Sequence, residues 1–552
     1  MAKSVLRLIP LGGLGEIGRN MMVLEYDDDI IVIDAGLMFP ENEMLGIDIV
    51  IPNMEYLIER RDKVRGIVIT HGHEDHIGGL PYLLEQITVP VYATRLTRGL
   101  IEVKLQEYHG QDKAQLRTIS AGESLRLGCF KLEFFHVCHS IPDCVGLAID
   151  TPVGLVVHSG DFKFDHTPVD GRITDFGKLA ELGQRGVHLL LSDSTNAETP
   201  GYTASEKVVG RMLERVFAEA PGRILVATFA SNISRIQQVI DAAQIYDRKV
   251  GVVGRSMVNN VRMARELGYL TVTDDVLLPI DRIRRLPEDE VAIVTTGSQG
   301  EPTSALTQMA VGEFRQLQII PGDTVVISAT PIPGNEESIN NNINNLFRLG
   351  ANVIYDQLME VHVSGHGAQE EEKLMLNLVR PRYFVPIHGE YRHLALHARL
   401  AEEVGVEREN IFVLESGDVL ELTRQGGRVT GQVPAGYVFV DGLGVGDVGQ
   451  VVLRDRKALA QEGFFIAVVG VDSQTGHVVS GPDIVSRGFV YMAESETLIE
   501  EAKDLVLNAL QQSEGRPVEW GMLNAKVKDT LSEFLYRRTR RRPMILPVVM
   551  EV

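Results

Sequence analysis

Thr70-His71-Gly72-His73-Glu74-Asp75-His76-Ile77-Gly78-Gly79 places four metal-ligand side chains, His71, His73, Asp75 and His76, within six residues. Ahead of it runs Arg65-Gly66-Ile67-Val68-Ile69, whose β-branched, apolar character predicts a buried strand. Behind it, Leu80-Pro81-Tyr82-Leu83-Leu84-Glu85-Gln86 is apolar at helical spacing. The stretch therefore reads as strand, turn and helix, a bend from which side chains converge. Two imidazoles two residues apart reach one ion, and the adjacent carboxylate and imidazole reach a second beside it. A turn that is merely polar leaves this density of histidines unexplained.

On the N-terminal side, Gly13-Leu14-Gly15-Glu16-Ile17-Gly18 matches the dinucleotide fingerprint GxGxxG. That fingerprint needs a helix directly after the glycines. Here Met21–Tyr26, the acidic turn Asp27-Asp28-Asp29 and Ile30–Asp34 read as strand, turn and strand, so a tight loop is expected. Asp34 closes its strand and is a candidate to orient a ligand histidine. On the C-terminal side, polar residues recur at the ends of apolar strands: His139 after 131–137, Asp161 after 154–160, and Asp193 after 187–192. That edge is where α/β sites assemble. His136, His158 and His188 lie inside the strands and read as packed or surface residues.

From Thr203 the texture becomes alternating strand and helix, the pattern of a parallel sheet. The strand 223–229 passes through Ala230-Ser231-Asn232 into a helix at 234–243, and three further strand-to-helix units follow up to residue 349. Small residues at helix N-termini cradle phosphate with backbone N–H groups, although such loops also serve simply as turns. Next comes His362-Val363-Ser364-Gly365-His366 before a helix at 369–379, then a strand ending in His388. His393 and His397, four apart on a helix, read as an exposed face. Residues 441–447 are Gly-rich and read as linker, and the tail from 448 reads as a small α+β domain with helices at 494–512 and 523–538.

The chain has 552 residues, enough for several domains, and a formal net charge of −21. That charge argues against nonspecific coating of nucleic acid, but leaves room for an enzyme with a locally basic groove and metal-neutralised phosphates. Basic clusters are local, at 60–65, 282–285, 454–457 and 537–542. The last suits RNA phosphates and helix-end compensation equally. Three cysteines form no framework or CxxC pair, and no secretory pattern or membrane-length apolar run is seen, so a cytoplasmic protein without membrane attachment is expected. Cys138, beside His139, reads as a buried free thiol.

The candidate ligands are His71, His73, Asp75, His76, His139, Asp161 and His388, too many for one zinc and suited to two ions. Together with Asp34 they resemble the metallo-β-lactamase superfamily. Asp193 in LSDSTNAE, His366 in HVSGHGAQEE and His388 in PIHGEYRHL narrow the resemblance to the β-CASP nucleases, and within them to the bacterial ribonuclease J family. LGGLGEIGRNM, HSGDFKFD, TFASNISRIQQ, TTGSQGEP and RRPMILPVVMEV extend the likeness over nearly the whole chain.

The resemblance implies an α/β fold: a metallo-β-lactamase αββα sandwich (1–204 plus 368–430), an inserted parallel α/β β-CASP domain (205–367), a linker (431–447) and a C-terminal α+β domain (448–552). It implies that His71, His73 and His139 hold one divalent ion, that Asp75, His76 and His388 hold the other, and that Asp161 bridges them, with zinc or manganese as the metal. It further implies hydrolysis of RNA from 5′-monophosphate ends, with internal cleavage also, in RNA decay and maturation. Asp193, His366 and Asp75 would be catalytic, and Ala230, Ser231, Asn232 and residues His362 to His366 (Val363, Ser364 and Gly365 between them) would hold the 5′ phosphate. A homodimer and other RNA-decay proteins are the expected partners besides single-stranded RNA. Three readings compete. A small-molecule hydrolase would need neither the inserted domain nor Asp193, and a non-catalytic RNA-binding paralogue would be expected to have lost ligands, which this chain has not. A DNA nuclease of the same family stays open, because no residue can be named that reads a 2′-hydroxyl.

Overall fold

The computed structural model describes residues 5–41, 43–108, 114–332, 334–472, 475, 477–490, 496–511 and 520–552. The chain divides into two compact units, residues 1–39 with 49–438 and residues 40–48 with 439–552.

The first unit is built on two mixed sheets packed face to face. One has eight strands in the order Gly427–Gln432, Asp418–Leu422, Leu6–Gly12, Met21–Tyr26, Asp29–Ile33, Val64–Val68, Pro90–Ala93 and Gln115–Thr118. The other has six, in the order Tyr383–Ile387, Val187–Asp193, Leu155–His158, Val145–Asp150, Phe130–His136 and Ser124–Leu127. Alternate residues of both, among them Leu8, Leu24, Ile33, Phe134, Leu147 and Leu189, close a common apolar core. Helices cover the outer faces: Arg95–Glu107 on the first sheet, and Phe176–Arg185, Gln369–Val379 and Tyr391–Glu403 on the second.

No helix follows the GxGxxG segment, as expected, but within it Leu14–Gly15 forms a two-residue strand paired with Gly389–Glu390. Gly13, Gly15 and Gly18 all adopt positive φ, and the following residues enter the hairpin Met21–Tyr26/Asp29–Ile33. The four predicted strand-to-helix units are present as Ile224–Ala227 to Ile233–Ile245, Lys249–Val253 to Arg255–Glu266, Val291–Thr295 to Ala305–Ala310 and Thr324–Ile327 to Glu336–Arg348. A fifth strand, Asn352–Tyr355, completes an all-parallel sheet with its own core around Leu225, Ile293, Met309 and Val325.

The chain leaves the six-stranded sheet after Asp193 and returns with Tyr383–Ile387, which pairs in parallel beside Val187–Asp193. Asp193 is in register with Ile387, so His388 emerges next to it although 194 residues lie between them in the sequence. This pairing brings the distant histidine to the strand ends that carry Asp161 and Asp193.

In the second unit, Phe464–Val471 lies between Val478–Arg487 (antiparallel) and Met544–Glu551 (parallel). Helices Glu496–Gln511 and Trp520–Thr539 close a core around Phe465, Val469, Val506 and Leu531. The outer ends of the helix expected at 494–512 fall outside the described residues. The helix Gln450–Glu462 has no counterpart in the sequence reading, and the Gly-rich stretch holds a small hairpin pairing Val440 with Val445. Arg456 anchors that hairpin through Asp441 and the Leu45 carbonyl. No helix among the described residues is long and apolar enough to cross a membrane.

Candidate active site

The strand Val64–Val68 ends two residues before Thr70, and the chain turns through His71–His73 into a single helical turn, Glu74–Ile77. A second loop, 34–37, clamps that turn. Ala35 N donates to His76 O (2.8 Å), Leu37 N to Glu74 O (3.1 Å) and Asn20 N to Asp75 O (3.0 Å). The approach is so close that a Cβ at Gly36 would fall 1.6 Å from the Asp75 carbonyl oxygen, so only glycine fits there. Asp34 and His388 both sit in the left-handed region, at φ 62° and 57°. Non-glycine residues held there mark places where the fold tolerates strain to aim a side chain.

Seven side chains meet at this turn. His71 Nε2 and His139 Nε2 each lie 3.1 Å from His73 Nδ1. Asp161 Oδ2 lies 3.1 Å from His76 Nε2, 3.3 Å from His388 Nε2, 3.6 Å from His71 Nε2 and 3.9 Å from His139 Nε2. Asp75 Oδ2 is 3.2 Å from His388 Nε2 and 3.5 Å from His76 Nε2. These atoms group as His71–His73–His139 and Asp75–His76–Asp161–His388, with Asp161 facing both, and His366 lies near enough to group with His139 and Asp161 and with Asp193 and His388.

The outward nitrogens are already committed. His76 Nδ1 donates to Asp34 Oδ2 (2.8 Å), and His139 Nδ1 donates to Gly365 O (2.7 Å). The Thr70 hydroxyl gives its proton to Asp34, so it accepts from His71 Nδ1 at 3.1 Å. The Thr195 hydroxyl gives its proton to Asp193, so it accepts from His388 Nδ1 at 2.7 Å. His73 directs its Nε2 to Ser140 Oγ. Each neutral ring therefore turns a lone pair inward, toward carboxylate oxygens and the other lone pairs. That donor set of imidazole nitrogens and carboxylate oxygens is one divalent cations complete.

The protonation balance divides the two groups: His71, His73 and His139 favour the neutral form, and His76 and His388 hold a proton that a bound cation would displace. Burial pushes His71 and His139 well below the ordinary imidazole value, and His73 down to about 4. Burial opposes charge on His76 and His388 as well, but Asp161 and Asp75 overcome it, raising His76 well above its ordinary value and His388 to about 9. Asp75 and Asp161 are held well below the carboxylate range, against burial, by the neighbouring histidines. Cation binding here displaces protons.

Beside this centre His366 Nδ1 donates to Asp193 Oδ2 at 2.7 Å. Burial works against charge on Asp193, but His366 outweighs it and holds its carboxyl below the usual range. The imidazole of His366 is partly open to solvent while Asp193 is buried. The loop that carries His366 is held by its carbonyls: Val361 O by Arg235, Ser364 O by Lys163, Gly365 O by His139, and His366 O by Asn196 and Thr203. Asn232 caps the helix Ile233–Ile245 by accepting from Arg235 N, and Ala230 and Ser231 stand half-buried before it. Arg235 thus links this helix start to the His362–His366 loop. Burial, with Arg235 adding to it, pushes His362 down to about 4.

His393 and His397 are buried, not on an exposed face. His393 accepts from Glu390 N at the helix start, and His397 Nδ1 meets Ser194 Oγ at 3.0 Å. His136, His158 and His188 are packed inside, and Cys138 is a buried free thiol, as expected. Thr70, Thr195, Asn20 and Ser140 support the site but carry no signal in the sequence beyond lying beside its motifs.

The RNase J β-CASP domain model matches residues 221–346, the RNase J C-terminal domain 451–552, the metallo-beta-lactamase superfamily 14–198, and the Zn-dependent metallo-hydrolase RNA specificity domain 354–414. Ribonuclease J2 of Bacillus subtilis (strain 168) is 49% identical over 99% of this chain and 98% of its own. Ribonuclease J 1 of Streptococcus pyogenes serotype M3 is 46% identical over 98% of this chain and 96% of its own. A crystal structure of a protein of unknown function from Enterococcus faecalis V583 shares the fold, with TM-score 0.54 and 17% identity, covering 76% of this chain and 100% of that one. Domain composition and full-length identity together place the chain in the ribonuclease J family, as a metal-dependent, RNA-binding nuclease of the metallo-β-lactamase and β-CASP type.

Proposed function

We propose that this ribonuclease degrades RNA in the 5′ to 3′ direction from 5′-monophosphate ends, and also cuts internally, with two divalent ions, zinc or manganese, per subunit. The observation that carries the reading is the Asp193–His366 pair at the rim of the seven-residue centre. His71, His73 and His139 would hold one ion and Asp75, His76 and His388 the other, with Asp161, whose Oδ2 faces four of these imidazoles, as the ligand they would share. When bound, such a pair of ions acidifies water and neutralises phosphoryl oxygens.

The remaining work falls to side chains of this chain. Asp193 fixes the ring of His366 through Nδ1, which leaves Nε2 to carry the proton needed by the leaving 3′ oxygen. Its carboxylate also stabilises the imidazolium before that transfer. Asp34 accepts from Thr70 N, the Thr70 hydroxyl and His76 Nδ1, fixing the ligand's orientation. Asp34→Ala is expected to weaken metal binding by about 10–100-fold, read by competition with a chromophoric chelator. Unchanged affinity would remove that role.

Ala230, Ser231 and Asn232 form one wall of the 5′-phosphate pocket, and His362, Val363, Ser364, Gly365 and His366 form the other. Support comes from the second loop's carbonyls, which Arg235, Lys163 and His139 draw inward and so hold the loop beside the metal centre. A pocket closed around one phosphate group excludes a triphosphate by clash. Ser231→Trp is expected to abolish the preference for 5′-monophosphate over 5′-triphosphate RNA in timed digestions, and an unchanged preference would refute the pocket.

The corresponding organisation is a metallo-β-lactamase core (1–204 plus 368–430), a β-CASP domain (205–367), a linker (431–447) and a C-terminal domain (448–552), acting as a cytoplasmic homodimer with other RNA-decay proteins. The 2′-hydroxyl contact that separates RNA from DNA is tested by digesting labelled strands of each side by side.

A further inference from the structure

Three buried charges lie beneath the His362–His366 loop and take no part in the chemistry above. Lys163 and Arg235 are 0% exposed and Glu206 4%. They come from separate elements. Lys163 follows Asp161 by two residues, Glu206 precedes the helix Lys207–Glu219, and Arg235 lies in the first turn of Ile233–Ile245, below Asn232. Buried charges persist when paired, and these are, although Glu206 Oε1 faces Lys163 without a hydrogen bond. Glu206 Oε2 accepts from Arg235 Nη2 at 2.7 Å, and Glu206 Oε1 lies 3.6 Å from Lys163 Nζ. The backbone of Glu206 is tied as well, its N donating to Asp165 Oδ2 and its O accepting from Gln238 Nε2.

The two cations spend further N–H groups on the loop. Arg235 Nη1 donates to Val361 O at 2.9 Å, and Lys163 Nζ donates to Ser364 O at 3.0 Å. Ser328 Oγ adds a second donor to Val361 O at 2.6 Å. The segment 361–364 is thus gripped at both ends by cations that share one carboxylate. One of them stands beside Asp161 in the chain and the other beside Asn232.

We propose that Lys163, Glu206 and Arg235 are positioning residues, a single ion triad that sets where the 5′-phosphate loop stands relative to the metal centre and so where the first phosphodiester falls. This rests on the 5′-monophosphate reading above. Because Glu206 holds both cations, the two anchor points move together, and its loss frees each. A misplacement of about 1 Å costs on the order of 10²-fold in such a site.

The test compares metal-loaded, full-length wild type, Glu206→Gln and Ser328→Ala on RNA of one sequence with a 5′ monophosphate or a 5′ hydroxyl. The ratio of kcat/KM between the two substrates is expected to fall by about tenfold or more in Glu206→Gln, mainly through KM, and by a smaller factor in Ser328→Ala, with metal content unchanged. An unchanged ratio, or equal losses on both substrates, overturns the positioning role. If Glu206→Gln does not fold, Ser328→Ala decides by the same criterion. A wild type that does not distinguish the two ends overturns the pocket itself, and the triad's role with it.

Discussion

Asp161→Ala is expected to abolish hydrolysis, with a loss of roughly 10³-fold or more in single-turnover rate on labelled RNA, and with metal content well below that of wild type. The magnitude follows from position. Removing an outer-shell partner of a metal ligand already costs about 10–100-fold. Asp161 Oδ2 lies within 3.1 to 3.9 Å of four imidazole nitrogens, drawn from both halves of the centre. Its loss removes a carboxylate that faces both groups and takes from His76 and His388 the largest of the charges that hold them. Retention of the full metal complement with activity within tenfold of wild type would contradict the bridging position.

His366→Ala separates chemistry from metal binding. Its Nδ1 is committed to Asp193, and the seven inward atoms are complete without it. Metal content should therefore match wild type while turnover falls by about 10²–10⁴-fold, the usual worth of a positioned general acid. Near-normal turnover with metal bound would remove the proton-donor role. Asp193→Asn should share most of this loss, because an amide no longer stabilises the imidazolium, so the double variant should be little worse than either single one.

The centre was legible where the sequence is local. His71 to His76 declare themselves because strand, turn and helix fall within a few residues of one another, and Asp161 and Asp193 because they end apolar strands. His388 was legible as a histidine ending an apolar strand, but its place beside Asp161 was not. Its place depends on the parallel register of Asp193 with Ile387, on adjacent strands that a whole five-stranded sheet separates in sequence, which no local pattern encodes. The triad of Lys163, Glu206 and Arg235 left no trace, since a lysine in HSGDFKFD reads as a solvated charge until its burial is seen. His393 and His397 misled for the same reason. A polar pair four apart suggests an exposed stripe, but Ser194 and the Glu390 amide meet them inside. The strand Asn352–Tyr355 and the helix Gln450–Glu462 went unread because the one is short and the other rich in charge. Both take their form from neighbouring elements more than from their own periodicity.

The central claim, two cooperating ions at one centre, is tested most directly by titrating chelator-stripped protein with zinc or manganese while following hydrolysis of 5′-monophosphate RNA. Activity should be absent in the stripped protein, stay low through the first equivalent per chain and rise with the second. Full activity without metal, or a maximum reached at one equivalent, would contradict it.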